Sequence, residues 1–179
     1  DRDLLPFPKF SKYGLSIVKR AKNRFKITQL KSVKRREDIA RLDHSIEAFT
    51  SPFSDYKLGQ YITDQIKPDI VNLHWCANFI DYKEFFSTMQ VPVVWTLYDE
   101  QPFSAYWHYS NDQVKSCEGA DLESCYLNYK QEGLDSFQQS LTIVAPSQWL
   151  LDQSKKSDLF KRYPHHLIRY GLDTNLYRP

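Results

Sequence analysis

From residue 54 onward the chain alternates between helical periods and short apolar runs. Tyr56, Leu58, Ile62 and Ile66 mark one side of a helix that Ser54 or Asp55 can cap and Pro68 stops. The stretch "DIVNLHW" then reads as a short buried strand over 70–74. A helix is predicted near 82–89, and Pro92 opens a second strand over 93–97. Segment 99–128 reads as one long connection, followed by a helix over about 129–140. "LTIVAP" is a third apolar strand, Ser147 caps a helix beginning "QWLLDQ", and "HHLIRYGLD" supplies a fourth strand and a glycine-containing turn. Alternation of this kind is the pattern of parallel βαβ units, so the predicted class is α/β, Rossmann-like, with helices flanking a parallel sheet. The short connections, 99–128 apart, fit right-handed crossovers.

The first part of the chain has a different pattern. Phe10, Tyr13, Ile17, Val18, Ala21 and Phe25 recur at helical intervals, with Lys12, Lys19, Arg20, Lys22 and Arg24 on the remaining faces. That basic amphipathic helix reads either as a surface helix packed on its own domain or as a contact with an anionic membrane face. Residues 27–53 show no clean period and read mostly as loop, with some helix around 36–42. The predicted organisation is a basic arm over 1–43 and one α/β domain over 44–179, a division the length of 179 residues allows.

Charge sharpens the division. Between Leu4 and Arg36 there are eleven Lys or Arg residues and no acid, although the net charge of the whole chain is only +2. The arm therefore offers one anionic contact surface, and without a nucleic-acid-binding motif beside it nucleic acid is not an expected partner. No run approaches the roughly 18 apolar residues of a membrane span, and no secretory leader is visible. The chain starts at Asp1 rather than Met, and we read it as a fragment. Cys76, Cys117 and Cys125 are too few for a disulfide framework and fit a reducing compartment. Pairing of Cys117 with Cys125, or metal binding by these two with His108, is the lesser reading, because C-x7-C is not a usual zinc spacing.

Candidate chemistry collects where the strands end. In an open parallel sheet, ligands bind beyond the carboxyl ends of the strands. The first predicted strand runs into His74, Trp75 and Asn78, the second into Tyr98, Asp99 and Glu100, the third into Pro146 and Ser147. The long connection adds Phe103, Tyr106, Trp107, His108 and Tyr109. Aromatic faces beside a carboxylate and an imidazole suit a sugar, which stacks its C–H face and directs hydroxyls at polar groups. His74 reads either as a ligand contact or as a satisfied core imidazole, Asp99 as a turn cap or a hydroxyl partner, and His108 as a cleft group or a loop-packing residue. Glu100 reads as solvated, Trp95 as core, and Ser147 as a helix N-cap whose helix terminus could also receive an anion. Lys155, Lys156 and Arg162 read as an ordinary solvated face, and His165 with His166 is too short a cluster for a metal site.

These same stretches, "PDIVNLHW", "VPVVWTLYDEQPFSAYWHYS", "LTIVAPSQWL" and "GLDTNLYRP", resemble in order and spacing the N-terminal domain of bacterial group 1 (family 4) glycosyltransferases. The resemblance spans about residues 45–179. It implies one half of a GT-B fold, in which two Rossmann-like domains face each other across a cleft, with the first strands and the donor-binding C-terminal domain absent here. It implies an acceptor wall of His74, Trp75, Tyr98, Asp99, Phe103 and His108, and donor-side or interdomain positions at Ser147, Gly171 and Asp173. It assigns no catalytic residue and no metal or other cofactor; a nucleotide-sugar would be the donor substrate, bound by the missing half. The activity implied for the parent enzyme is transfer of a sugar, with retention, to a glycan or lipid-linked acceptor in polysaccharide assembly. The implied location is cytoplasmic, at the inner membrane face, with this half inactive alone.

The chain departs from the family pattern at three of these places. Tyr98 stands where the family has His, Trp107 where it has Cys, and Tyr170 where it has Asn. Two other readings therefore stay open: a non-catalytic carbohydrate-binding or scaffold domain, favoured by Tyr98, and half of a GT-B-type sugar-nucleotide epimerase. Without a strand beside it, segment 70–74 would be a sheet edge, which the arm covers or through which the chain dimerises or aggregates.

Overall fold

The computed structural model describes residues 31–42, 49–110 and 117–177. The basic helix expected over 10–25 lies outside them. In chain order the elements are helix α1 (Lys31–Arg41), short helix α2 (Leu58–Tyr61) running on as a π-helical turn (Ile62–Ile66), strand β1 (Val71–Leu73) and helix α3 (Tyr82–Thr88). Strand β2 (Val93–Thr96), helix α4 (Cys117–Ser136), strand β3 (Leu141–Ala145), helix α5 (Gln148–Lys156) and strand β4 (His165–Leu167) follow. The four strands form one sheet in the order β1-β2-β3-β4, every pair parallel, with Val71 opposite Val93, Trp95 opposite Ile143 and Ala145 opposite Leu167. The protein is α/β, with a Rossmann-like parallel sheet flanked by helices.

Burial explains which strands are central. Val93, Trp95, Leu141, Ile143, Val144 and Ala145 are buried, so β2 and β3 present apolar side chains to covering helices. Trp95 lies at the centre as expected, 1 % exposed, with its ring 5.7 Å from Tyr82, 5.9 Å from Phe86 and 5.6 Å from Phe160. Truncating it to Ala would remove about 3–5 kcal/mol. Among the described residues β1 is an edge of the sheet. Among those residues no helix is long and apolar enough to cross a membrane.

Three helices differ from expectation in their bounds. Helix α4 begins at Cys117, well inside the stretch read as a connection. Its buried positions Leu122, Tyr126, Lys130, Gly133 and Leu134 recur at helical spacing, but within 117–128 only Leu122 and Tyr126 are buried among the described side chains, too few to mark a period. The same helix stops at Ser136, before 140. Helix α2 starts at Leu58 without a side-chain cap, because Ser54 is engaged elsewhere: its N–H donates to Asp81 and its hydroxyl accepts from the Tyr56 N–H. Helix α1 begins at Lys31 rather than 36.

A second, smaller core forms from Leu42, Phe53, Ala105, Tyr106, Trp107, Leu122 and Tyr126, with Phe49 stacked on Tyr106 at 5.6 Å. Tyr126 donates to Asp38 at 2.7 Å and so ties α1 to α4. This core underlies the loop that leaves β2.

Candidate functional site

The site is built where β1 and β2 end. Asp99, three residues past the end of β2 and 6 % exposed, organises it. One carboxylate oxygen, Oδ2, accepts from His108 Nδ1 at 2.6 Å and from the indole N–H of Trp75 at 3.3 Å. The other, Oδ1, accepts from the Gln101 N–H at 3.0 Å and starts the turn that follows. Glu100 O then accepts from the N–H groups of Phe103 and Ser104, and the Glu100 N–H donates to His108 O at 2.9 Å, closing the loop on itself. The Glu100 carboxylate accepts from the Ser110 N–H. Glu100 is therefore buried, 6 % exposed, and not solvated as its sequence position suggested; it spends its charge on loop closure.

Beneath this loop lies Lys130, a residue that no sequence motif singled out. It reaches from α4, and its Nζ donates to Gln101 O at 2.6 Å and Ser104 O at 2.8 Å while standing 4.9 Å from the centre of the Tyr82 ring. Tyr82 adds a bond from its hydroxyl to Pro102 O at 3.0 Å. Burial pushes the Lys130 amine down to about 7, with Asp99 acting in the opposite direction. Burial likewise pushes the Cys76 thiol up to about 12, with Asp99 adding to it, so Cys76 stays protonated and donates to His74 O. The only sequence signal for Lys130 was a lysine on the inward stripe of a helix, which requires the helix to be recognised first.

A second pair stands beside the first. His74 Nδ1 and the Tyr98 hydroxyl are 3.1 Å apart, and the Tyr98 ring lies 5.7 Å from Tyr170, whose hydroxyl donates to Leu97 O. Trp75, Tyr98, Tyr109 and Tyr170 all expose their rings. Asn78, with φ of 60°, turns the loop after β1, and its side-chain oxygen accepts from the Ser51 N–H.

The expected acceptor wall thus divides. The structure brings His74 to Tyr98, and Trp75 to Asp99 and His108. Phe103 faces the main core, 5.8 Å from Phe160, and Tyr106 and Trp107 belong to the smaller core under the loop. These three rings build the support for the site, because a loop carrying a fixed polar pair needs apolar residues of its own to hold it. Ser147 caps α5, accepting from the Leu150 N–H at 3.2 Å. Gly171 is exposed with open space around it, and Asp173 caps the last turn through the Asn175 N–H at 2.8 Å. Cys125 is a free thiol; the Cys117 side chain lies outside the described residues. Arg162 pairs with Asp135 rather than standing free in solvent, and His165 is occupied by Ser154 and Tyr163 O. Among the described residues no group of three potential metal ligands comes together.

No family model, curated protein or solved structure matches the chain. The arrangement is chemically specific all the same. A buried carboxylate orients an imidazole, an exposed indole stands over that pair, and further exposed aromatic rings lie beside it at the carboxyl end of a parallel sheet.

Proposed function

We propose that this domain binds carbohydrate at the carboxyl ends of β1 and β2, as the acceptor side of a retaining glycosyltransferase that uses a nucleotide-sugar donor. One observation carries the reading: the Asp99–His108 pair under the exposed Trp75, in the crevice position where open α/β sheets bind ligands. Aromatic faces with convergent polar groups are what a pyranose needs for stacking and hydroxyl recognition. Trp75 supplies the stacking face, Asp99 and His108 the buried polar pair, and His74 with Tyr98 the second polar contact. The order of the four sequence blocks supports the transferase assignment. In that reaction the domain would orient an acceptor hydroxyl toward the oxocarbenium-like sugar while a partner domain holds the diphosphate. Under the same proposal the acceptor is a glycan or lipid-linked glycan, and the basic arm brings the enzyme to the cytoplasmic membrane face.

A non-catalytic carbohydrate-binding role is the second reading, and Tyr98 favours it. Its phenol is committed to His74 and its ring to Tyr170, where the glycosyltransferases that the sequence resembles present an imidazole. Titration of the isotope-labelled chain with methyl hexosides and short oligosaccharides tests the common core of both. The expected result is perturbation of the Trp75 indole and Tyr98 ring signals, and loss of about tenfold in affinity on Trp75→Ala. A chain that leaves both signals unmoved at every saccharide tried would overturn the carbohydrate reading. Release of nucleotide from a nucleotide-sugar by the full-length protein, dependent on a bound saccharide, separates transferase from binding module.

A further inference from the structure

His108 holds an unused hydrogen-bonding atom. Its Nδ1 is committed to Asp99 Oδ2 at 2.6 Å, whereas Nε2 is buried and has no partner among the described residues. Native interiors retain few such atoms, and each asks for an explanation. Trp95 Nε1 is also unpaired among the described residues, but it is enclosed in the main core. His108 is different because the ring packed beside it, tilted at 32° with centres 6.0 Å apart, is that of Trp75, which is 62 % exposed. Trp75 is held over the pair by a single long bond of 3.3 Å from its indole N–H to Asp99 Oδ2.

We propose that Nε2 of His108 is the hydrogen-bond acceptor for one ligand hydroxyl, and that Trp75 is the side chain that moves to admit it. The carboxylate fixes the tautomer: with Nδ1 donating to Asp99, a neutral imidazole presents a lone pair at Nε2. A lone pair selects a hydrogen-bond donor such as a hydroxyl and repels phosphate or carboxylate. The groups facing the pair agree with that choice. The negative charge of Asp99 lies on the far side of the ring, the Glu100 carboxylate is turned to Ser110, and the Lys130 amine is engaged by two carbonyls rather than directed at the site. When Trp75 turns aside, Asp99 keeps His108 and Gln101 as donors, so the pair stays oriented while the indole face remains available for stacking. That the hydroxyl belongs to a sugar rests on the carbohydrate reading above; the gate itself does not.

Carbethoxylation of histidine by diethyl pyrocarbonate, mapped by peptide mass spectrometry on the full chain, reads access to His108 directly. In the wild type His108 should react much more slowly than the exposed His166, and Trp75→Ala should accelerate it about tenfold or more. No acceleration in a Trp75→Ala chain with wild-type circular dichroism would overturn the gate, whatever the chain binds. The ligand class is read separately with methyl glucopyranoside, inorganic phosphate and ethylammonium as probes. Glycoside binding that His108→Phe removes and His108→Gln retains, through the amide oxygen, supports the hydroxyl assignment. Glycoside binding that persists in His108→Phe, or displacement of Trp75 by phosphate or ethylammonium instead, overturns it. If no glycoside binds, the sugar assignment falls together with the carbohydrate reading, while the footprint still decides the gate.

Discussion

Lys130 is the most demanding residue in the loop's support, and replacing it with Met tests that support. The ordinary value of a lysine amine, 10.5, falls to about 7 in the folded chain because burial disfavours the charged form. Between those two values the unfolded chain holds a proton that the folded chain has released. Stability therefore rises with pH across that window, by at most about 1.4 kcal/mol per unit. Integrated from pH 7 to pH 9 the gain is about 2 kcal/mol. The neutral amine still has two N–H bonds for Gln101 O and Ser104 O, so the loop keeps its clamp as the charge is lost. Above pH 9 Cys76 acts with the opposite sign. Its thiol rises from 9.0 to about 12, so the unfolded chain sheds a proton the folded chain keeps, and stability falls. His165, pushed down by burial, contributes its own rise, but in the window below its ordinary 6.5. The interval from 7 to 9 is thus dominated by Lys130, with Cys76 subtracting a few tenths of a kcal/mol at its upper end.

Urea unfolding followed by tryptophan fluorescence across that interval gives the curve. Wild type should gain about 2 kcal/mol, and Lys130→Met should be flat. At pH 9 the variant should also be the weaker protein by about 2–3 kcal/mol, since two buried carbonyls lose their donor. The gap should narrow toward pH 7, where the wild-type amine takes up its charge. A flat wild-type curve, or a variant with the wild-type slope, would refute the argument that Lys130 is a buried, near-neutral clamp.

Four further substitutions separate packing from site. Gly133→Ala puts a Cβ 2.6 Å from Tyr82 O and 2.7 Å from Tyr82 C, where only backbone movement gives room, and should lower unfolding free energy by about 2–3 kcal/mol. Ser147→Ala removes the α5 cap and should cost about 1 kcal/mol in the same measurement, with no effect on saccharide binding. Phe103→Ala should cost about 3–5 kcal/mol, and Trp75→Ala within about 0.5 kcal/mol while weakening ligand binding. If Trp75→Ala proved the costlier of the last two, the assignment of one residue to the core and the other to the site would be reversed.

The sheet was legible because its strands combine short apolar runs with clear punctuation. Pro68 and Pro92 precede the first two strands, and the third, 141–145, is buried along nearly all its length. Helix α4 was not legible from periodicity in its first half, where Leu122 and Tyr126 are the only buried apolar side chains among the described residues, and in its second half the inner face includes Lys130 and Gly133. Tertiary contacts decide both: Gly133 is required by the close approach of Tyr82, and Lys130 is tolerated because two loop carbonyls and an aromatic ring replace its water. Positions reasoned from strand ends fared differently according to burial. Asp99 and His108 come together across nine residues because the loop between them closes through Glu100, a connection that no local pattern encodes.

The aromatic density at and around residues 98–109 has two separate physical origins, and the distinction bears on function. Phe103, Tyr106 and Trp107 are buried, and their apolar area holds the loop to the body of the domain. Trp75, Tyr98, Tyr109 and Tyr170 are exposed, and nothing in the folding of the domain requires so much apolar area in water. A loop of ten residues can hold an imidazole fixed on a carboxylate only if its own backbone is fixed. Here that is achieved by the small core on one side and the Lys130 clamp on the other. Rigidity in the loop and freedom in Trp75 are complementary. The pair is oriented before any ligand arrives, so ligand binding need only displace one exposed indole held by one long hydrogen bond.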